Sequence, residues 1–223
     1  MEIENRLRKR IRIVPAILTD DSTALKRMVQ AVKGAVEWAQ VDIMDGLFVP
    51  SKSIGWQEVK AAKLPFDWEA HLMVKEPETY FSGFKSARVR RVIFHFEAVN
   101  DPCAVIAAAR KLDLDVGMAL NPDTTVSAVA ECLPLLDSVL IMSVVPGFYG
   151  SKFIPEVLDK VGEIRAFAPG LSIGIDGGIK DANIVEVAAS GVDDICVGSG
   201  VFLGADPAAC YRHLQSVVDA VSG

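Results

Sequence analysis

Beginning at Ile11, short runs rich in Val, Ile and other strand formers recur along the chain, and longer stretches of helical period separate them. The runs are IRIVPAIL (11–18), WAQVDIM (38–44), WEAHLMV (68–74), RVIFHF (91–96), DVGMALN (115–121), SVLIMSV (138–144), LSIGID (171–176) and DICVGS (194–199). Strands alternating with helical stretches are the pattern of parallel strands joined by helical crossovers. Eight such units close a barrel, so the expected architecture is α/β, a single-domain (β/α)8 TIM barrel. An open doubly wound sheet uses the same unit, but no G-x-G-x-x-G fingerprint follows the first run; GFYG, DGG and VGSG all come late.

Helices are expected between the runs. DSTALKRMVQAVKGA (21–35) opens on Asp21 or Ser22 as N-cap, and PEVLDKVGEIRAFA (155–168) places Pro155 in a first turn. Further helices begin near Pro77, Pro102, Thr125, Asn183 and Pro207. No Ser/Gly-rich linker divides the chain, so the barrel is expected over 11–223, behind a charged N-terminal extension over 1–10. That extension lacks the apolar stretch of a signal peptide, and no run is long enough to span a bilayer; the expected address is the cytoplasm. A net charge of -6 argues against nucleic acid and membrane partners. Cys103, Cys132, Cys196 and Cys210 form no C-x-x-C pair and read as buried, reduced thiols. The RVRR segment at 88–91 reads as solvated charge.

Polar groups at the C-terminal ends of barrel strands face a common mouth, so those are the residues to collect. Strand side chains alternate, which puts Gln40, Asp42 and Met44 on one face. His71 with Met73, and Asp176 with Gly174, fall into the same arrangement, and Gly174 would leave room beside the carboxylate. One strand-end aspartate is as easily a loop cap as a functional group. Two carboxylates and a histidine within apolar strands are costly unless paired, metal-bound or functional. Glycines form a second group, in VPGFYGSKF, DGGI and VGSGVF after the last three runs. Backbone N–H groups there, at Gly147, Gly150, Gly177, Gly178, Gly198 and Ser199, suit a phosphate without needing net positive charge.

The motifs VPAIL, VDIMDGLFVP, HLMV..PE, FHFEA, ALNP.T, PGF.G.KFIPEVL.K, IDGGI and VGSGVF occur in this order and cover nearly the whole chain after the first ten residues. In combination they closely resemble the ribulose-phosphate 3-epimerase family. The resemblance implies a metal-assisted isomerase of carbohydrate metabolism that interconverts D-ribulose 5-phosphate and D-xylulose 5-phosphate, and it favours a homo-oligomer. It implies Asp42 and Asp176 as the proton-transfer pair, Asp42, His71 and Asp176 as metal ligands, and Met44, Met73, Met142 and Ala16 around the substrate. The chemistry agrees: inverting a carbon next to a ketone needs proton removal on one face and delivery on the other, and a Zn, Fe(II), Mn or Co ion stabilises the enediolate charge. Gln40 stands where the family usually has a metal-binding histidine. It is therefore expected to be either a substitute ligand or the mark of a site that has lost its metal. Ala16, Tyr149 and Ser151 also replace family residues, namely a serine, a loop glycine and a loop glutamine. His95, in FHFEA, is at least as readily structural as catalytic, and His213 is expected at the surface.

Two other enzymatic readings and one non-enzymatic reading compete. A related enzyme epimerises hexulose phosphates such as allulose 6-phosphate. Related decarboxylases use D-x-K-x-x-D, and VDIMDG has Met44 where that lysine would stand. A sugar-phosphate-binding homologue without catalysis would keep the glycine loops alone.

Overall fold

The computed structural model describes residues 10–147 and 152–222. Its strands are β1 (Arg12–Ile17), β2 (Trp38–Met44), β3 (Asp67–Met73), β4 (Arg91–His95), β5 (Asp115–Leu120), β6 (Ser138–Met142), β7 (Ser172–Asp176) and β8 (Asp194–Val197). They pair in parallel in chain order, and β8 returns to β1 to close the barrel. The architecture is the expected (β/α)8 barrel, and each strand lies within its sequence run or one residue beyond it. Among the described residues no helix is long and apolar enough to cross a membrane.

Alternation builds two cores. Outward residues such as Val41, Leu72, Phe94, Val116 and Ile173 pack against Leu25, Val59, Phe84, Ile106 and Ile164 of the surrounding helices. Each such fully buried side chain contributes about 1.5–3 kcal/mol of transfer free energy. Inside the barrel a smaller cluster of Val14, Ile93, Ala119, Leu140 and Cys196 fills the middle. Gly174 belongs to that interior: an added Cβ would come within 3.0 Å of Leu140 Cδ1. The space expected beside Asp176 is thus taken by Leu140, and the glycine serves packing.

The helices follow the sequence less closely. Helix α1 (Ser22–Val32) is capped by Asp21, whose carboxylate accepts from Thr23 N–H at 2.8 Å. Helix α2 (Trp56–Ala62) has no counterpart in the expectation, because its seven residues carry too few apolar positions to display a period. The helices expected at Pro77 and Pro155 start as single 3-10 turns before α3 (Phe81–Ser86) and α5 (Asp159–Phe167). Helix α4 (Pro102–Lys111) begins where expected. From Thr125 there is no α-helix, only 3-10 turns at Val126–Val129 and Leu133–Leu135. Pro134 lacks an amide hydrogen and cannot continue an α ladder there. Helix α6 (Ile184–Ala189) and α8 (Pro207–Ser222) match the starts at Asn183 and Pro207. Between them α7 (Ser199–Phe202) takes Ser199 out of the eighth strand.

The expectation of buried cysteines holds for Cys132 and Cys196 but fails for Cys103, which is exposed, and Cys210, which is half-buried. The RVRR expectation fails at its last residue. Arg88 and Arg90 are exposed, but Arg91 is buried on the inward face of β4. Its Nε donates to Glu69 Oε2 at 2.7 Å, and Asp194 Oδ2 lies 3.5 Å from its Nη2. Arg12 makes a two-pronged contact with Asp194, at 2.9 and 3.0 Å, and both guanidinium groups lie over the Trp38 ring, at 4.6 and 5.3 Å. A charge-balanced plug therefore closes the N-terminal end of the barrel.

Candidate active site

At the opposite end the same alternation projects Gln40, Asp42 and Met44 from β2, His71 and Met73 from β3, and Asp176 from the end of β7. Asp42 and His71 are register partners, as are Met142 and Asp176. Two serines outside the strands fix the carboxylate-bearing backbone. Ser53 Oγ donates to the Asp42 carbonyl at 2.8 Å and accepts from Met44 N–H at 2.9 Å. Ser143 Oγ donates to the carbonyls of Asp176 and Gly177, at 3.0 and 2.7 Å. Neither serine is distinguishable in the sequence, since a short hydroxyl after a strand has many ordinary uses.

One ligand atom each from Asp42, His71 and Asp176 lie within 4.8 Å of one another. His71 Nδ1 is 2.9 Å from Asp42 Oδ1 and 3.6 Å from Asp176 Oδ2. Gln40 is not part of that group, which corrects both sequence expectations for it. Its amide nitrogen donates to Asp42 Oδ1 at 2.8 Å and to Asp176 Oδ2 at 2.7 Å, while its oxygen accepts from the Cys196 thiol at 3.2 Å. With the amide hydrogens on the carboxylates and the oxygen turned to Cys196, Gln40 is a hydrogen-bond donor beneath a complete Asp–His–Asp triad.

The electrostatics suit a cation. Burial raises the Asp176 carboxyl to about 7, and the neighbouring Asp42 charge adds to that; His71 and the Gln40 amide pull the other way. For His71, burial is the largest influence and favours the neutral ring, yet the hydrogen bond and charge of Asp42, with Asp176, outweigh it and leave the value raised. Buried like charges of this kind call for a counter-ion. Two carboxylate oxygens and an imidazole nitrogen are a donor set that divalent zinc, manganese, iron or cobalt accepts.

His95, the last residue of β4, lies beside His71, with the two Nε2 atoms 2.9 Å apart, and Phe48 packs on its ring with centroids 4.9 Å apart. Burial lowers it to about 4, partly offset by Glu97, so the ring is neutral near pH 7. His213 is exposed and contacts Asp181 at 2.9 Å, far from the triad in role.

A cavity opens over the triad. Ala16, Met44, Met73 and Met142 line it, and Gly147, Gly177, Gly178, Gly198 and Ser199 border it, so the residues read from the sequence come together. Cys196, Leu18, Val144 and Ile179 also line it and were not anticipated; only Cys196 had a signal, its place one strand-alternation beyond Asp194. Gly177 has φ +120°, and a Cβ there would come within 2.5 Å of Val144 Cγ2, so only glycine fits that turn. Gly150, Tyr149 and Ser151 lie outside the described residues.

The model of the ribulose-phosphate 3 epimerase family matches residues 12–202. Ribulose-phosphate 3-epimerase of Mycobacterium bovis is 37% identical over 216 residues, covering 94% of this chain and 94% of the relative. That of Aquifex aeolicus is 35% identical, covering 92% and 96%. That of Schizosaccharomyces pombe is 34% identical, covering 95% and 91%. Among solved structures, KGPDC from Streptococcus mutans superposes with a TM-score of 0.73 at 14% identity, covering 96% of this chain and 99% of that one. The 3-hexulose-6-phosphate synthase of Salmonella typhimurium gives 0.70 at 18% identity, covering 93% and 98%. These two share the fold, while the family model and the sequence relatives reach further: this chain belongs to the ribulose-phosphate 3-epimerase family.

Proposed function

We propose that the protein is a ketose-phosphate 3-epimerase that interconverts D-ribulose 5-phosphate and D-xylulose 5-phosphate. The observation that carries this reading is the pairing of Asp42 and Asp176 at one cavity, with ligand oxygens within 4.8 Å of a shared imidazole nitrogen. One carboxylate removes the proton at C3 and the other carboxyl delivers a proton to the opposite face of the flat enediolate. Asp176, whose proton is held to about pH 7, serves as the donor when Asp42 takes the substrate proton, and the roles exchange for the reverse reaction. Gln40 keeps both carboxylates aimed at the cavity through its two amide hydrogens. Asp42, His71 and Asp176 would hold a divalent cation, which would supply Lewis-acid stabilisation of the enediolate charge.

The glycine turns after β7 and β8, with Gly198 leading into the short helix α7, form the phosphate seat in this reading. Met44, Met73 and Met142 cover the carbon chain and exclude water around the developing charge. In the same reading the enzyme works in the cytoplasm as a homo-oligomer.

Incubation with ribulose 5-phosphate in deuterated water, with zinc, manganese, iron(II) or cobalt added, is expected to yield xylulose 5-phosphate carrying deuterium at C3. Absence of turnover with all four metals sinks the proposal. Ala16 gives a second substrate some support, since it presents only a methyl group to the cavity. Turnover of allulose 6-phosphate above that of ribulose 5-phosphate would transfer the assignment to the hexulose phosphate.

A further inference from the structure

Beside the triad, toward the loops after β4 and β5, runs a file of groups that the proton-transfer chemistry does not use. His71 Nε2 faces His95 Nε2 at 2.9 Å, and His95 Nδ1 faces Glu97 Oε2 at 3.4 Å. The other Glu97 oxygen accepts from Asn121 N–H at 2.8 Å and from the Thr124 hydroxyl. Lys160 anchors that loop by donating to the carbonyls of Asn121, Pro122 and Thr124 at 2.6–2.9 Å. Both imidazoles are fully buried, so water does not settle where their protons sit.

Two ring nitrogens 2.9 Å apart share one hydrogen, so the file has a direction. If His95 Nε2 carried that hydrogen, the lone pair of His95 Nδ1 would face the Glu97 carboxylate, two acceptors opposed in a buried site. The other direction suits this end of the file: His95 turns Nδ1–H toward Glu97 and accepts at Nε2 from His71 Nε2–H, and His71 Nδ1, 2.9 Å from Asp42 Oδ1, is then the atom left to a cation between the carboxylates.

We infer that Glu97 and His95 are positioning residues that hold the hydrogen of His71 on Nε2 and so present its Nδ1 lone pair to the metal-binding cluster. The inference rests on the metal-centre reading of Asp42, His71 and Asp176, and not on the identity of the sugar phosphate. A carboxylate, an intervening histidine and a ligand histidine in series extend the usual outer-sphere support of a metal by one imidazole. Glu97 is the residue that sets the direction, because a carboxylate can only accept. An amide of the same shape could keep the Asn121 and Thr124 contacts with its oxygen and turn its N–H to His95. That reverses the file and places a hydrogen on His71 Nδ1, where the lone pair is needed.

The test is zinc binding by calorimetry on the metal-stripped full-length protein and its E97Q variant, with ring-nitrogen NMR of both in the zinc-loaded state. E97Q is expected to bind zinc about 10–100-fold more weakly, with an unchanged unfolding temperature before zinc is added. In the wild type the spectra are expected to show His95 protonated at Nδ1 and His71 at Nε2. Zinc affinity of E97Q within twofold of wild type overturns the inference, as does a wild-type spectrum with hydrogen on His95 Nε2, which needs no variant. A wild-type chain that takes up no zinc removes the metal-centre reading and this inference with it. A weaker E97Q site in a protein that turns over no ketose phosphate leaves the inference standing and sinks only the substrate assignment.

Discussion

The two ends of the barrel interior bury charge in opposite ways. At the N-terminal end two guanidinium groups, Arg12 and Arg91, meet two carboxylates, Glu69 and Asp194, and the Trp38 ring covers them. At the C-terminal end two carboxylates meet one imidazole and an amide, and a cavity stands above them. Strand alternation produces both layers. Burial of charge is therefore not what distinguishes a site from a scaffold: one end is satisfied by its own residues, and the other is left with an excess of negative charge facing an opening.

The largest difference is expected when one acidic group is neutralised at the open end. D176N is predicted to lower kcat about 10²–10⁴-fold, the usual contribution of a positioned acid or base. Thermal unfolding of the metal-stripped variant is expected to stay at or above wild type, since the change removes one of two crowded carboxylates. At the closed end R91M is predicted to cost about 3–5 kcal/mol, because Glu69 and Asp194 lose a buried partner. Denaturant titration measures that cost, and equal destabilisation by both variants would dissolve the distinction between the ends.

A smaller effect separates the ends by pH. The folded state holds the Asp176 proton up to about pH 7, well above where an unfolded aspartate releases it, and His71 is shifted in the same direction. A raised value stabilises the fold at acid pH and loses that contribution as pH rises through the folded value. The metal-stripped protein is therefore predicted to lose stability from this cluster between about pH 4 and pH 7, at up to about 1.4 kcal/mol per pH unit. D176N should flatten that decline, and unfolding midpoints of the two proteins across this range measure the difference. Identical slopes would mean that Asp176 ionises in the folded state much as it does in the unfolded chain.

The strands and the triad were legible in the sequence because both depend on a period of two. A residue's face follows from its neighbours one and two positions away, so Asp42, His71 and Asp176 could be placed at the mouth from the sequence alone. What failed depended on distant partners. Arg91 looks solvated beside Arg88 and Arg90, but its acidic partners lie 22 and 103 positions away. Gln40 can donate or accept, and which end faces the carboxylates is set by Asp176 and Cys196, at separations of 136 and 156. The family resemblance implies metal ligation at position 40, whereas here its amide hydrogens are already committed to the two carboxylates. The helices missed, α2 and α7, are only seven and four residues long, too short for a 3.6-residue period to show.

The smallest predicted effect compares the two arginines of the plug. Both touch Asp194 and both lie over Trp38, but the Arg12 side chain is 37% exposed and that of Arg91 11%. Water can replace much of what Arg12 provides, so R12M is predicted to cost only about 1 kcal/mol despite its two-pronged geometry. In R12M Asp194 retains Arg91 at 3.5 Å; in R91M Asp194 retains Arg12, but Glu69 loses the guanidinium it is paired with. Because the two arginines share Asp194, the double variant should cost more than the sum of the single ones, by about 0.5–3 kcal/mol. Additive losses in denaturant titrations would mean that the plug is two independent ion pairs, and the N-terminal end would then owe its stability to packing around Trp38 more than to balanced charge.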